Sequence, residues 1–327
     1  MGWFRSLLAA VALSLALGTT VLAQSAAPSP SPSAPVELHS LKVTILSTML
    51  ADEGIGEWGF AALVEADGKK ILFDTGARPN TVLENAKELK IDLSGVQDVI
   101  LSHFHEDHTT GLLTLRRELS KNNSAALSRV HVGKGIFFER RGPDHNPMMA
   151  MKKSYEATGG RFVEHDQPEE ILPGVWLTGP VPRVYPEKNY PAGVEVRRDG
   201  QWVEDNLPED QSLVFNTSDG LVLLAGCGHA GIINTLDYAR HFLRPAPVHA
   251  AIGGFHLYNA NDEQLDWTAD KLKEFRIAQI LGAHCTGIES VYHLRQRLGL
   301  NRRTCVVGTV GATFDLRDGI HTGRIAQ

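Results

Sequence analysis

The run Val99-Ile-Leu-Ser-His103-Phe-His105-Glu-Asp107-His108 sets an apolar strand against a loop with three imidazoles and a carboxylate within six residues. His103 and His105 are two apart and point the same way in extended chain. Asp107 and His108 project from the turn into the next helix. Four such donors on one ion would leave a tetrahedral site closed, so the spacing suits two adjacent cations. Three further apolar runs end in the same way. Leu221 to Ala225 leads to Gly226-Cys227-Gly-His229, Val248 to Ile252 to Gly253-Gly-Phe-His256, and Ala278 to Leu281 to Gly282-Ala-His284-Cys285. Ligands of α/β proteins collect outside the carboxyl ends of strands, and glycine there lets backbone approach closely. Such convergence of imidazole and sulfur points to a metal centre.

Outward from these runs the chain alternates strand and helix signals. Leu41 to Leu46 is apolar and β-branched. Ala61–Glu65 and Lys70–Phe73 flank Asp67-Gly68, and Ser212–Asn216 and Leu221–Ala225 flank Asp219-Gly220, which are two hairpin signals. Helical patterns fall at Asn80–Lys90 and from Leu112 to Leu119, with helix, strand, helix, strand following to Ile280 and a last strand near Thr304. Periodicity is weak and Pro and Gly are frequent from Phe137 to Pro208. That stretch reads as an elaboration over the core rather than a second domain. Hairpins mixed with amphipathic helices predict sheets covered by helices in one α/β domain.

The N-terminus has a different composition. Arg5 precedes the apolar stretch Leu7–Leu17, and Val21-Leu-Ala23 ends in small residues before Gln24. This is the pattern of a cleaved signal peptide over 1–23 and implies a periplasmic or secreted protein. Residues 24–36 are Pro/Ser-rich and read as a tether ahead of a folded domain at 37–327. The chain has 327 residues, 43% apolar and 21% charged, with net charge -6. These values exclude disordered, collagen-like and coiled-coil classes. With no basic run, nothing points to nucleic acid, and no membrane-spanning segment is expected in the mature chain. Three cysteines, Cys227, Cys285 and Cys305, do not make a disulfide scaffold.

The motif His103-x-His105-x-Asp107-His108 resembles the metal-binding motif of the metallo-β-lactamase superfamily, and Leu72-Phe-Asp74-Thr-Gly76 resembles its preceding strand-end Asp motif. Residues 71–76, 226–234, 253–257 and 284–287 are similar to one branch. That branch comprises hydrolases resembling the 7,8-dihydropterin-6-methyl-4-(β-D-ribofuranosyl)aminobenzene-phosphate synthase. The resemblance implies a four-layer αββα sandwich in a single domain. It further implies that His103, His105 and His229 hold one ion and that Asp107, His108 and His284 hold a second. Cys227 stands where the superfamily usually has a bridging Asp, as a ligand or as a packed thiol. His256 is a site contact or a core histidine, Asp74 a site contact or a turn cap, and Cys285 is expected to pack. His131, His145 and His165 are left to surface or loops.

The donor set favours two zinc ions. Two adjacent cations make a bound water acidic enough to ionise at neutral pH and polarise a carbonyl or phosphoryl oxygen. Asp107 is the residue to orient the nucleophile and pass its proton on. No G-x-S-x-G elbow is present. The expected activity is hydrolysis of an ester, lactone, amide or phosphoester bond in a small-molecule substrate. The rivals are a non-catalytic metal-binding protein of the same fold and an iron-dependent oxidoreductase. Arg140, Arg141, Lys152, Lys153 and Arg183 lie in the 137–208 stretch and are candidates to clamp an anionic group. Arg183 is the leading one because the branch has a similar Pro-Arg segment.

The N-terminal pattern makes a direct prediction. Sequencing the mature protein from its native compartment should return a chain beginning near Gln24. A chain still starting at Met1 would contradict the signal-peptide reading.

Overall fold

The computed structural model describes residues 1–2, 35–142, 146–190 and 192–326. Nearly all of the expected signal peptide and of the tether, and His145, lie outside the described residues. Pro35–Gln327 forms one compact unit. Among the described residues no helix is long and apolar enough to cross a membrane.

The unit opens with strands β1 (Leu41–Ser47), β2 (Ala61–Ala66) and β3 (Lys69–Phe73), helix α1 (Thr81–Glu88) and strand β4 (Asp98–Leu101). The β2–β3 turn holds Asp67 and Gly68 at φ 43° and 76°, the pair of positive values that a type I′ hairpin turn demands. A one-turn helix α2 (Glu106–Thr109) carries the metal-motif loop into α3 (Leu112–Leu119), followed by β5 (Arg129–Gly133), β6 (Arg140–Arg141), α4 (Met148–Glu156), β7 (Arg161–His165), β8 (Glu169–Leu172) and β9 (Val175–Leu177). The hairpin of β10 (Glu195–Arg198) and β11 (Gln201–Glu204) precedes β12 (Leu213–Thr217) and β13 (Gly220–Ala225). The last third alternates α5 (Ile232–Phe242), β14 (Val248–Gly253), α6 (Asp262–Glu274), β15 (Gln279–Gly282), α7 (Ile288–Leu298) and β16 (Cys305–Val307), then ends in β17 (Thr313–Asp315) and β18 (Gly319–His321).

These strands build two large sheets. The first runs β18-β17-β1-β2-β3-β4-β5-β7 and the second β16-β15-β14-β13-β12-β9-β8. Strands β3, β4, β5 and β7 are mutually parallel in the first sheet, and β13, β14, β15 and β16 in the second. Val43, Ile45, Val64 and Phe73 from one sheet meet Phe215, Leu224, Ile252 and Leu281 from the other in a buried layer between them. The outer face of the first sheet packs Val82, Leu112, Leu115 and Tyr155 from its helices. The outer face of the second packs Ile233, Leu265, Leu272 and Val291. Three apolar layers separating helices, sheet, sheet and helices make the αββα sandwich. Strand β13 is buried on both faces, with Leu221 and Leu223 toward the helices and Val222 and Leu224 toward the other sheet. That double burial is why its sequence is continuously apolar rather than alternating.

The stretch 137–208 is more than an elaboration. Strand β7 extends the first sheet, and β9 and β8 extend the second, while only β6, β10 and β11 form a separate small sheet. Edge strands carry polar and charged side chains to discourage further pairing. Glu169-Glu170 in β8 is such a case, and it hid the period.

The inter-sheet layer predicts the cost of opening a cavity in it. Phe215 is fully buried there. Phe215→Ala should lower the unfolding free energy by about 3–5 kcal/mol, read by denaturant titration at constant m-value. A loss below about 1 kcal/mol would contradict a close-packed seam.

Candidate metal centre

The sandwich brings the carboxyl ends of β3, β4, β13, β14 and β15 to one edge, each followed by a loop with a site residue. Close approach there is why the loops carry glycine. A Cβ on Gly226 would lie 2.2 Å from Ser102 Oγ and 2.5 Å from Asp74 Oδ2. Asp74, His256 and His284 sit at φ 55°, 52° and 46°, a left-handed conformation that non-glycine residues hold only when surroundings enforce it.

Three nitrogens meet first. His103 Nε2 is 2.9 Å from His105 Nδ1 and 3.2 Å from His229 Nε2. Hydrogen bonds on the far side of these rings assign their tautomers. The Ser102 hydroxyl donates to Asp74 Oδ2 at 2.8 Å, so the His103 Nδ1–H donates to Ser102 Oγ at 2.8 Å. The His229 Nδ1–H donates to the Asn189 carbonyl, which can only accept. Both Nε2 atoms therefore present lone pairs to each other. Burial foremost, then neighbouring imidazoles, holds His103 and His229 well below the usual histidine range, and His105 falls to about 4. Neutral imidazole is the form that ligates metal. Three nitrogens each about 2 Å from one zinc would stand about 3.3 Å apart. The donors fit such an ion.

The second group lies beside the first. Asp107 Oδ2 is 3.3 Å from His284 Nε2 and 3.8 Å from His108 Nε2. The Nδ1 of His284 is buried without a hydrogen-bond partner, which folded proteins rarely keep, and its Nε2 has only the Asp107 contact. The His108 Nδ1–H donates to Asp74 Oδ2 at 2.7 Å, which turns its Nε2 toward the site. Burial would lower His108, but the Asp107 and Asp74 carboxylates overcome this and raise it to about 9. Burial likewise opposes ionisation of Asp107, and the facing His108 and His284 hold its carboxyl low regardless. The raised His108 marks a place that favours positive charge, and the lowered Asp107 keeps its carboxylate ionised beside it. Cys227 Sγ is 3.2 Å from His108 Nε2. It groups with His103 and His108 between the two sets, in the position of a bridging donor.

All six expected ligands, with Cys227, His256 and Asp74, thus fall at one site. Asp74 supports rather than faces it: its oxygens accept from the Ser102 N–H, the Ser102 hydroxyl and His108. The basic candidates do not. The Arg183 guanidinium donates to the carbonyls of Val181, Asn206 and Leu207 and ties loop to loop. Arg140 is buried between Asp205 at 2.5 Å and Glu209 at 2.6 Å. Arg141 and Lys152 pair with Glu195 and Glu156, and Lys153 is exposed. Their acidic partners, some far along the chain, were invisible to a local reading. His131 and His165 are not loop residues either. They stack on adjacent strands β5 and β7, in a hydrogen-bonded chain from Asp98 to Glu169.

Two cavities open on the donors. One of about 670 Å³ is lined by Trp58, Phe104, Asp107, Cys227 and His284, and one of about 510 Å³ by Glu187, Lys188, Tyr190, Tyr258 and Trp267. His105, His229 and His256 border both. Sequence reasoning missed Ser102, Asn189, Trp58 and Lys188. Ser102 was findable as the hydroxyl preceding His103. Asn189 works through its backbone carbonyl and gives no side-chain signal.

The profile described as "Metallo-beta-lactamase superfamily" matches residues 59–229. The chain is 31% identical over 242 residues to the 7,8-dihydropterin-6-methyl-4-(beta-D-ribofuranosyl)-aminobenzene-5'-phosphate synthase of Methanocaldococcus jannaschii, covering 71% of this chain and 81% of the relative. Among solved structures it is similar to Tm1679, a metal-dependent hydrolase of the beta-lactamase superfamily. The TM-score is 0.68 at 27% identity, over 84% of this chain and 98% of that one. Zn(2+)-bound PqqB from Methylobacterium extorquens shares the fold, with a TM-score of 0.52 at 15% identity, over 84% of this chain and 100% of that one.

The support role of Asp74 is testable without disturbing the fold, because asparagine tolerates its left-handed backbone. Asp74→Asn should weaken metal affinity about 10- to 100-fold, measured by competition with a chromophoric chelator. Unchanged affinity would refute the assigned role.

Proposed function

The chain belongs to the metallo-beta-lactamase superfamily, and from that premise we propose that it is an exported hydrolase that uses two zinc ions to cleave an ester, lactone, amide or phosphoester bond. One observation carries the reading: the unprotonated Nε2 atoms of His103 and His229 face each other at 3.2 Å, with Asp107, His108 and His284 grouped alongside. Lone pairs held that close in a buried site repel unless a cation lies among them. His103, His105 and His229 would hold one ion, and Asp107, His108 and His284 the other, with Cys227 between.

Bound there, the ions would supply Lewis acidity and an acidified water. The chain's own residues do the rest. The Asp107 side chain is 23% exposed, so Oδ2 reaches the cleft to accept a hydrogen from the attacking water and hand it to the leaving group. Trp58 lies over the His284 ring at 4.9 Å and meets Tyr258 edge-on at 5.4 Å. This aromatic wall screens the ligands from bulk water on that side. Zinc is preferred to iron because imidazole and thiolate outnumber carboxylate in the donor set. Hydrolysis is preferred to the curated relative's synthase reaction because the N-terminal pattern points to export.

Metal analysis of protein purified without added metal, with a screen of phosphodiester, lactone and β-lactam substrates, tests the proposal. At least two zinc ions per chain and turnover of one class are expected; iron, or no hydrolysis by the loaded protein, would defeat it. His105→Ala and Asp107→Ala should each lose a metal and lower kcat/KM by more than the roughly 10- to 100-fold of an indirect change. Cys227→Asp should keep both ions, whereas Cys227→Ala should weaken the second.

A further inference from the structure

Cys227 and Cys285 meet at the floor of the cleft from the ends of β13 and β15. Their sulfurs are 3.2 Å apart, and both side chains are buried yet line the cleft beside His256. One donor atom from each of Cys227, Cys285 and His256 lies within 4.8 Å of the others. His256 Nδ1 is buried with no hydrogen-bond partner, and the residue adopts left-handed backbone at φ 52° to stand there. A Cβ at Gly254 would lie 2.0 Å from the Gly226 carbonyl oxygen and 2.8 Å from Cys285 Sγ, so the loop packs tightly against the backbone and the sulfur together. Packing alone does not account for this grouping of donors. Two thiols in contact gain only a weak S–H interaction, and an unpaired buried nitrogen gains nothing.

We propose that Cys227, Cys285 and His256 form a third, sulfur-rich subsite that takes a thiophilic d10 cation, distinct from the two histidine-rich sets. Two thiolates and an imidazole select soft ions such as Zn2+, Cd2+ or Cu+ over hard ones. Two sulfurs about 2.3 Å from a shared ion would be about 3.8 Å apart, so a separation of a few tenths of an ångström beyond the present one seats it. Binding releases the two thiol protons to solvent. The inference rests on the two-ion reading only through Cys227, whose sulfur the sets would share.

The test is an anaerobic Cd2+ titration of reduced, metal-free protein, with bound cadmium and thiolate-to-cadmium absorbance followed together. Wild type should take three ions per chain. Cys285→Ser should take two, with the absorbance falling to about half because Cys227 remains. His256→Ala, at a partly exposed position that tolerates truncation, should weaken one binding step at least ~10-fold and carries the test if Cys285→Ser does not fold. Saturation at two ions in every variant, or absorbance unchanged in Cys285→Ser, overturns the third subsite and leaves the two-ion reading intact. One ion per chain, with absorbance halved in Cys285→Ser, would instead uphold the sulfur subsite and defeat the two-ion reading. A mass lower by two thiol hydrogens in protein purified without reductant would show a Cys227–Cys285 disulfide and overturn the proposal.

Discussion

Everything at this edge of the sandwich follows from lone pairs that have been forced to face one another. The Asp74 carboxylate, placed at the end of β3, accepts hydrogen bonds from the Ser102 hydroxyl and the His108 Nδ1–H. Ser102 must then accept from His103, and the Asn189 carbonyl accepts from the His229 Nδ1–H. Each far-side bond holds Nδ1–H outward and turns an Nε2 inward, bare in His103 and His229 and open to a cation in place of a proton in His108. Second partners of this kind orient metal ligands and raise their basicity. Here they also make the site costly to leave without positive charge, as the elevated His108 shows.

The two sheets exist, from the site's point of view, to hold those rings in register. His103 and His108 come from the first sheet and His229 and His284 from the second. Their spacing therefore depends on how Phe73, Phe215, Ile252 and Leu281 fill the seam. Close-packed interiors transmit strain, so an error in that layer becomes an error in ligand geometry. The same parallel strands that place loops at one edge leave helices to cover the outer faces. A large ordered scaffold thus carries a few left-handed residues at its rim.

Much of this was legible in the sequence because it is local. His103-Phe-His105-Glu-Asp107-His108 encodes its own geometry through the strand-to-helix turn, and Asp67-Gly68 encodes a hairpin. The doubly buried strands announced themselves as unbroken apolar runs. What was not legible is non-local. Arg140 and Arg183 look like anion clamps until Asp205, Glu209 and the carbonyls near Leu207 arrive from elsewhere in the chain. His131 and His165 look like loop residues until β5 and β7 pair. The Cys227–Cys285 contact joins strand ends 58 residues apart, and no short motif states such a separation.

The central claim is a statement about protons, so the most direct measurement counts them. Long-range proton–nitrogen correlation spectra of the 15N-labelled, metal-loaded protein report which imidazole nitrogen of each histidine is protonated. The rings of His103, His108 and His229 should all carry hydrogen on Nδ1, with Nε2 bare and shifted on metal removal. Hydrogen on Nε2 in any of the three, unaffected by a chelator, would contradict the account.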